Sequence, residues 1–315
     1  MLGEENFGKY AFGETEMKKI PIIIDTDIGT DIDDTWALAM ALNSPELDIK
    51  LITTARGDTV YRAKLVAKFL QVAGRTDIPI GIGIQLGYNA VREPQADWLK
   101  GFNMKNYKGR VFQDGVDAII KTITASKEKV TVIGIAPLPN IARALSLKPE
   151  IVERAKFVGM HGSINMQHEG KRGAIPEWNV CSYMRDANEA LSADWDKTIT
   201  PLDTCGNIRL SGERYQKCFK SGLPVMKAVM ENYRHWLKGW GGKKGKYDSY
   251  SSILFDTVAV YLAYDESFLK MKKTGLRVTN GGFTRIEKGA PKVNIALEWK
   301  DKEGYLDHLV ERLTG

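Results

Sequence analysis

Between Ile20 and Leu42 a short apolar run, IPIII, leads directly into five aspartates within the ten residues 25–34. A β-branched run of this kind, bounded by turn residues, marks a strand buried in a parallel sheet. The aspartates therefore fall where that strand leaves the core. Gly29 breaks the strand pattern, and Trp36, Ala37, Met40 and Ala41 then recur at helical spacing, which places Asp33 and Asp34 at a helix start. Carboxylates this close raise one another's pKa and resist joint ionisation unless a positive charge lies among them. Capping explains one or two aspartates at a helix start, but it leaves Asp25, Asp27 and Asp31 without a reason. Oxygen donors with no Cys or His beside them point to Ca²⁺ or Mg²⁺ and away from zinc.

Beyond the cluster, strand-like and helix-like patterns alternate. Apolar runs at 49–55, 78–84, 130–136 and 155–160 are separated by helical spacing at 61–72, 116–126 and 137–145. Such alternation predicts an α/β fold with a mainly parallel central sheet flanked by helices, built as one domain over 17–315 behind a flexible leader, 1–16. Sites in this architecture form beyond the carboxyl ends of the strands. The aspartates, Gly57-Asp58, Pro137 to Asn140 and His161-Gly162 would then share one rim. The segment 239–252, rich in Gly, Lys and Ser, reads as a loop beside the site or a solvated surface loop, and short strands followed by a final amphipathic helix are expected in the tail, from Leu276 to Gly315.

Composition narrows the class. The net charge of +6 arises from 45 basic and 39 acidic residues, with part of the excess in the local run Lys238 to Lys246. No basic stripe interleaved with aromatics stands out, so no nucleic-acid partner is expected. No stretch approaches the roughly 18 consecutive apolar residues of a membrane span. Cys181, Cys205 and Cys218 are odd in number and read as reduced thiols. The expected location is the cytoplasm, with a mature exported chain as the alternative.

Five blocks in order carry a family resemblance: DTDIGTDIDDTWALA (25–39), LITTARGDT (51–59), IGIAPLPNIARAL (133–145), IPEWNVCSYMRDANEA (175–190) and LFDTVAVYLA (254–263). Together they resemble a nucleoside hydrolase of the inosine-uridine-preferring type, whose opening motif is two residues shorter than the one here. The resemblance implies Ca²⁺ held by Asp27, by the helix-leading aspartates Asp33 and Asp34, by the carbonyl of Pro139 and by Asp256. Read alone, Asp256 is equally a helix N-cap. Asp58, Glu177 and Asn179 fall on positions that the resemblance assigns to ribose, whereas Lys171 stands roughly where that family places a further Asn. Asp27 would take the proton of the attacking water, with Asp25 and Asp31 supporting the cluster. A homodimer or homotetramer is also implied.

Hydrolysis of an N-glycosidic bond passes through a sugar with oxocarbenium character, and the departing base leaves more readily when protonated. Many members of the family carry a histidine just before the late aspartate, where this chain has Phe255. His161, near the expected rim, and His235, in an aromatic helix, are the candidates for that task. Trp236, Trp240 and Tyr233 have the spacing to stack on a base or to pack a core. Two rival readings stand beside the ribonucleoside hydrolase, acting on purine or pyrimidine substrates. One is a ribose- or nucleoside-binding homologue without turnover. The other is a phosphatase of the haloacid dehalogenase type, for which Asp25-Thr-Asp27 would supply the nucleophile.

Overall fold

The computed structural model describes residues 18–86, 92–242 and 247–315. The expected leader and part of the Gly/Lys-rich loop lie outside the described residues. Ten strands form one sheet: β1 (Ile20–Thr26), β2 (Leu47–Thr54), β3 (Ile80–Ile82), β4 (Val111–Phe112), β5 (Val130–Ile135), β6 (Ala155–Met160), β7 (Asp196–Thr200), β8 (Leu269–Val278), β9 (Thr284–Ile286) and β10 (Lys292–Trp299). Their spatial order is β4-β3-β2-β1-β5-β6-β7-β10-β8-β9. Every neighbouring pair from β4 across to β10 is parallel, and β8 pairs antiparallel with both β10 and β9.

β1 is buried from Pro21 onward, and its side chains alternate between two cores as strand geometry requires. Ile22 and Ile24 join the core that holds Trp36, Met40 and Tyr261, whereas Ile23 joins Leu51, Val116, Ile141 and Trp195 on the other face. Full burial of each isoleucine contributes about 2 kcal/mol. The helices Asp33–Leu42, Pro224–Gly239 and Phe255–Leu262 belong to the first core, and the helices Gly115–Ala125 and Pro139–Leu147 to the second.

The chain runs from β1 outward to β2, β3 and β4, then returns to the other side of β1 as β5. The order of strands therefore reverses between β1 and β5. A reversal of this kind opens a crevice beyond the carboxyl ends of the strands, the usual ligand position in open α/β sheets. The aspartates of residues 25–34 sit at that crevice.

Two glycines permit the close approaches around it. Gly29 has φ +110°, and a Cβ there would lie 2.6 Å from Leu65 Cδ1. A Cβ on Gly83 would meet Thr54 O at 2.1 Å and the Asn140 amide at 2.3 Å. The apolar run at 78–84 is accordingly a shorter strand than its composition predicts, because past Ile82 the chain turns along Asn140, whose Oδ1 accepts from Ile84 N at 2.8 Å. Among the described residues no helix is long and apolar enough to cross a membrane.

Candidate active site

Asp33 and Asp34 occupy the first turn of their helix, but they do not cap it. The capping position is Ile32, and no side chain accepts a bond there. The same holds for Asp256, which lies one residue inside a helix whose uncapped start follows Leu254. All three are buried, and their carboxylate oxygens come within 4.8 Å of one another. Burial first, and then the charge of neighbouring aspartates, Asp31 on Asp33, Asp27 on Asp34 and Asp33 on Asp256, holds each carboxyl well above the usual carboxylate range. Thr26 Oγ1 donates to Asp34 Oδ1, and among the described residues no Lys or Arg forms an ion pair with any of the three. Three crowded, desolvated carboxylates without a cation of their own suit a hard divalent ion.

Asp27 adjoins this group from the end of β1. Its Oδ2 lies 3.6 Å from Arg56 Nη1, and burial raises its pKa against the pull of Arg62 and Arg56. Arg62, wholly buried, clamps the aspartate loop from below. It donates through Nη1 to the carbonyls of Asp27 and Ile28, through Nη2 to Thr30 Oγ1 and through Nε to Arg56 O. Arg56 has φ +61°, its Nη1 is buried without a hydrogen-bond partner among the described residues, and its guanidinium lies 4.6 Å over the ring of Trp178. A left-handed conformation at a non-glycine residue costs about 1–3 kcal/mol and persists where the surroundings enforce it.

Asp25 is the innermost carboxylate. Its Oδ1 accepts from Thr53 Oγ1 at 2.6 Å and from Asn140 Nδ2 at 2.8 Å. Burial pushes the group up to about 7, against the lowering effect of those two bonds. Asp31 stands on the surface of the loop, where its Oδ1 accepts from Ile32 N at 2.7 Å.

Two adjoining chambers open at this rim. The first, about 290 Å³, is lined by Asp27, Asp33, Asp34 and Asp256, by Glu177, Trp178 and Asn179, and by Ile135, Met160 and Leu202 at the ends of β5 and β6 and just after β7. The second, about 370 Å³, is lined by Tyr233, Trp236, Tyr250 and Arg209 among others. Asp31, His168, Trp240 and Phe255 border both. Trp236 also ties its helix to the aspartate loop, donating from Nε1 to Thr30 O at 3.2 Å.

The structure places the remaining candidates differently from one another. Glu177 reaches the first chamber, but its carboxylate already accepts from Gly162 N, Asn179 N and Val180 N, so it caps the helix Trp178–Cys181 and fastens the loop after β6. Burial pushes it up to about 7. Asn179 lines the chamber and donates to Met160 O at 3.1 Å. Asp58 caps the helix Thr59–Val72 through Tyr61 N and lines neither chamber. Pro139 is buried at the first position of its helix and also lines neither.

His161 turns inward instead of toward the rim. Its Nε2 lies 3.1 Å from Ala136 O, its ring packs against Phe157, and burial lowers its pKa to about 4. His235 lines neither chamber. The histidine that does is His168, which carried no signal in the sequence, being a lone histidine in a polar stretch. The sequence was equally silent on Arg56 and Arg62, whose roles depend on contacts across the fold. The three cysteines are free thiols.

The model of the inosine-uridine preferring nucleoside hydrolases matches residues 22–306. The chain belongs to that family. It is thus an N-ribohydrolase, and the phosphatase reading falls away. A pyrimidine-specific ribonucleoside hydrolase of Escherichia coli is 26% identical over 322 residues, covering 93% of this chain and 98% of the relative. A plant nucleoside hydrolase shares the fold with a TM-score of 0.80 at 21% identity, over 94% of this chain and 99% of that one. A purine-preferring ribonucleoside hydrolase from Gardnerella vaginalis gives 0.75 at 19% identity, over 94% and 98%. Nucleoside hydrolases named for different base preferences, pyrimidine and purine, are thus similar to this chain.

Proposed function

We propose that this nucleoside hydrolase cleaves the N-glycosidic bond of ribonucleosides, purine or pyrimidine, to ribose and free base with the help of Ca²⁺. The observation that carries the reading is the group Asp33, Asp34 and Asp256, buried, mutually crowded and, among the described residues, without an ion-pair partner. These residues, with Asp27 beside them, would hold the ion; the carbonyl of Pro139, implied by resemblance, is a further donor that the proposal does not need. When bound, the ion would supply positive charge against the sugar hydroxyls and lower the pKa of a neighbouring water.

The chain's own groups do the rest. Asp27 takes the proton of the attacking water as general base. The surrounding carboxylates favour the positive charge that develops on the sugar as the bond to the base stretches. Asn179 and Trp178 flank the sugar in the first chamber, and the aromatic second chamber, with Trp236, Tyr233 and Trp240, takes the base. Arg62 holds the loop that carries Asp27, so the carboxylate is oriented before substrate arrives.

Incubation with a panel of purine and pyrimidine ribonucleosides and Ca²⁺, with release of reducing sugar as the readout, tests the reading. Ribose and free base in equal amounts are expected. No release from any member of the panel by protein shown to have bound Ca²⁺ would refute it. The proposed assembly, a homodimer or homotetramer, is checked by light scattering on the eluted protein.

A further inference from the structure

The chemistry at the sugar leaves one requirement unmet. When the bond from C1′ to the base nitrogen breaks, its electron pair goes to the base, and a base leaving as an anion is a poor leaving group near neutral pH. A proton must reach it, and the carboxylates of the first chamber are crowded on the sugar side. The border between the two chambers is where the bond to the base must lie. Its four shared residues are Asp31, His168, Trp240 and Phe255.

His168 is held at that border by a closed hairpin. Met166 and Arg172 form an antiparallel bridge, Gln167 N donates to Lys171 O at 2.9 Å, and Gly173 N donates to Asn165 O at 2.7 Å. The base of the hairpin is pinned by Asp203, which accepts from Ile164 N and Asn165 N at 2.9 Å each. Its tip is pinned by Glu169, which has φ +60°, donates from its N–H to Gly206 O at 2.8 Å and lies 3.6 Å from Arg209. Between these anchors the imidazole stands edge-on to Phe255, with ring centroids 5.6 Å apart and planes at 84°. Neither of its ring nitrogens makes a hydrogen bond among the described residues, whereas Asp31 already accepts from Ile32 N.

We propose that His168 faces the departing nucleobase and delivers the proton with which it leaves. The proposal rests on the hydrolase reading above. The step balances as follows. The imidazolium N–H proton passes to the base as the bond from C1′ breaks, the oxygen of water bonds to C1′, and the proton of that water passes to Asp27. Transfer of that proton through solvent back to the imidazole restores the enzyme.

The test compares two leaving groups on the full-length protein loaded with Ca²⁺. Ribonucleosides need a proton on the base, whereas 4-nitrophenyl riboside releases a stable phenolate without one. His168→Gln is expected to lower kcat on nucleosides by about 100-fold, the low end for loss of a general acid, and to leave the nitrophenyl riboside within about 3-fold of the parent. Ca²⁺ affinity, measured by calorimetry, should be unchanged, which shows that the variant is folded. An equal loss on both substrates, or no loss on nucleosides, overturns the assignment. So does a leaving-group-selective loss in Asp31→Asn that is absent from His168→Gln. A parent protein that binds Ca²⁺ yet cleaves neither substrate refutes the hydrolase reading itself, and is thereby told apart from failure of His168 alone.

Discussion

The two ends of the central sheet carry charge in opposite ways. At the amino ends of β7 and β10 lies a cleft of about 790 Å³, larger than either chamber of the candidate site, lined by Lys129, Lys197, Lys273 and Lys292 together with Glu153, Asp194 and Asp196. Its charges are of both signs and, Lys197 apart, meet solvent; Lys129 and Asp196, for example, lie 3.9 Å apart with both side chains exposed. At the carboxyl ends of β1 and β5 the carboxylates outnumber the buried cations: Asp27 lies 3.6 Å from Arg56, whereas Asp33, Asp34 and Asp256 are buried with no ion-pair partner among the described residues. Size does not single out the proposed site. Buried carboxylates without ion-pair partners do, because burying a carboxylate without a partner is costly and is retained where a ligand offsets it.

That contrast is broken most strongly at the acidic end. Asp34→Asn should abolish Ca²⁺ binding and lower nucleoside turnover by at least about 10³-fold, the scale of transition-state charge stabilisation; calorimetry and the reducing-sugar assay check the two halves separately. Asp27→Asn should lower kcat by about 10²–10⁴-fold, as loss of a general base does, while a ribose-like inhibitor still binds. Retained turnover in either variant would mean that the buried charge serves the fold alone.

A stability measurement sharpens the comparison at intermediate size. In the metal-free protein Asp25 and Glu177 are pushed up to about 7 by burial, from 3.8 and 4.5, and Asp33, Asp34 and Asp256 are shifted in the same direction. The folded state therefore binds more protons than the unfolded chain between those values, and stability must fall as pH rises through that window. The Tm of chelator-treated protein should rise on going from pH 7 to pH 5, and added Ca²⁺ should raise Tm most at pH 7, where the cluster is least protonated. A Tm that falls steadily from pH 7 to 5 without metal would contradict the assignment of raised carboxyls.

The smallest effects are expected at the other end. Lys273→Ala and Lys292→Ala remove charges from an open cleft and should change stability by no more than about 0.5 kcal/mol, with nucleoside turnover unaltered. A large loss of turnover in either would show that the two ends of the sheet are not independent.

How much of this was legible in the sequence follows from the range of the interactions involved. The parallel strands declared themselves because burial on both faces demands β-branched runs such as IPIII, VTVIGI and AKFVGM. β8, LKMKKTGLRV, did not over its first half: only Leu269 and Leu276 are buried and the strand is rich in lysine, so it leaves little hydrophobic trace. The crowding of the aspartates was legible because they lie within ten residues of one another, and three carboxylates, Asp33, Asp34 and Asp256, do come together. Capping is also local, and Glu177 and Asp58 each accept from the backbone of the helix that they open, a role that the resemblance, which assigns both to the sugar, does not state. His168 was beyond reach because its place depends on a hairpin bridge and on contact with Phe255, 87 positions along the chain (255 minus 168).

The claim that the uncompensated carboxylates exist to hold a catalytic cation is tested most directly by metal add-back. Protein stripped with a chelator should release no sugar from any ribonucleoside, and titration with Ca²⁺ should restore release in step with the binding of one ion per chain. Full release by the stripped protein, or Ca²⁺ binding absent from a folded sample, would contradict it.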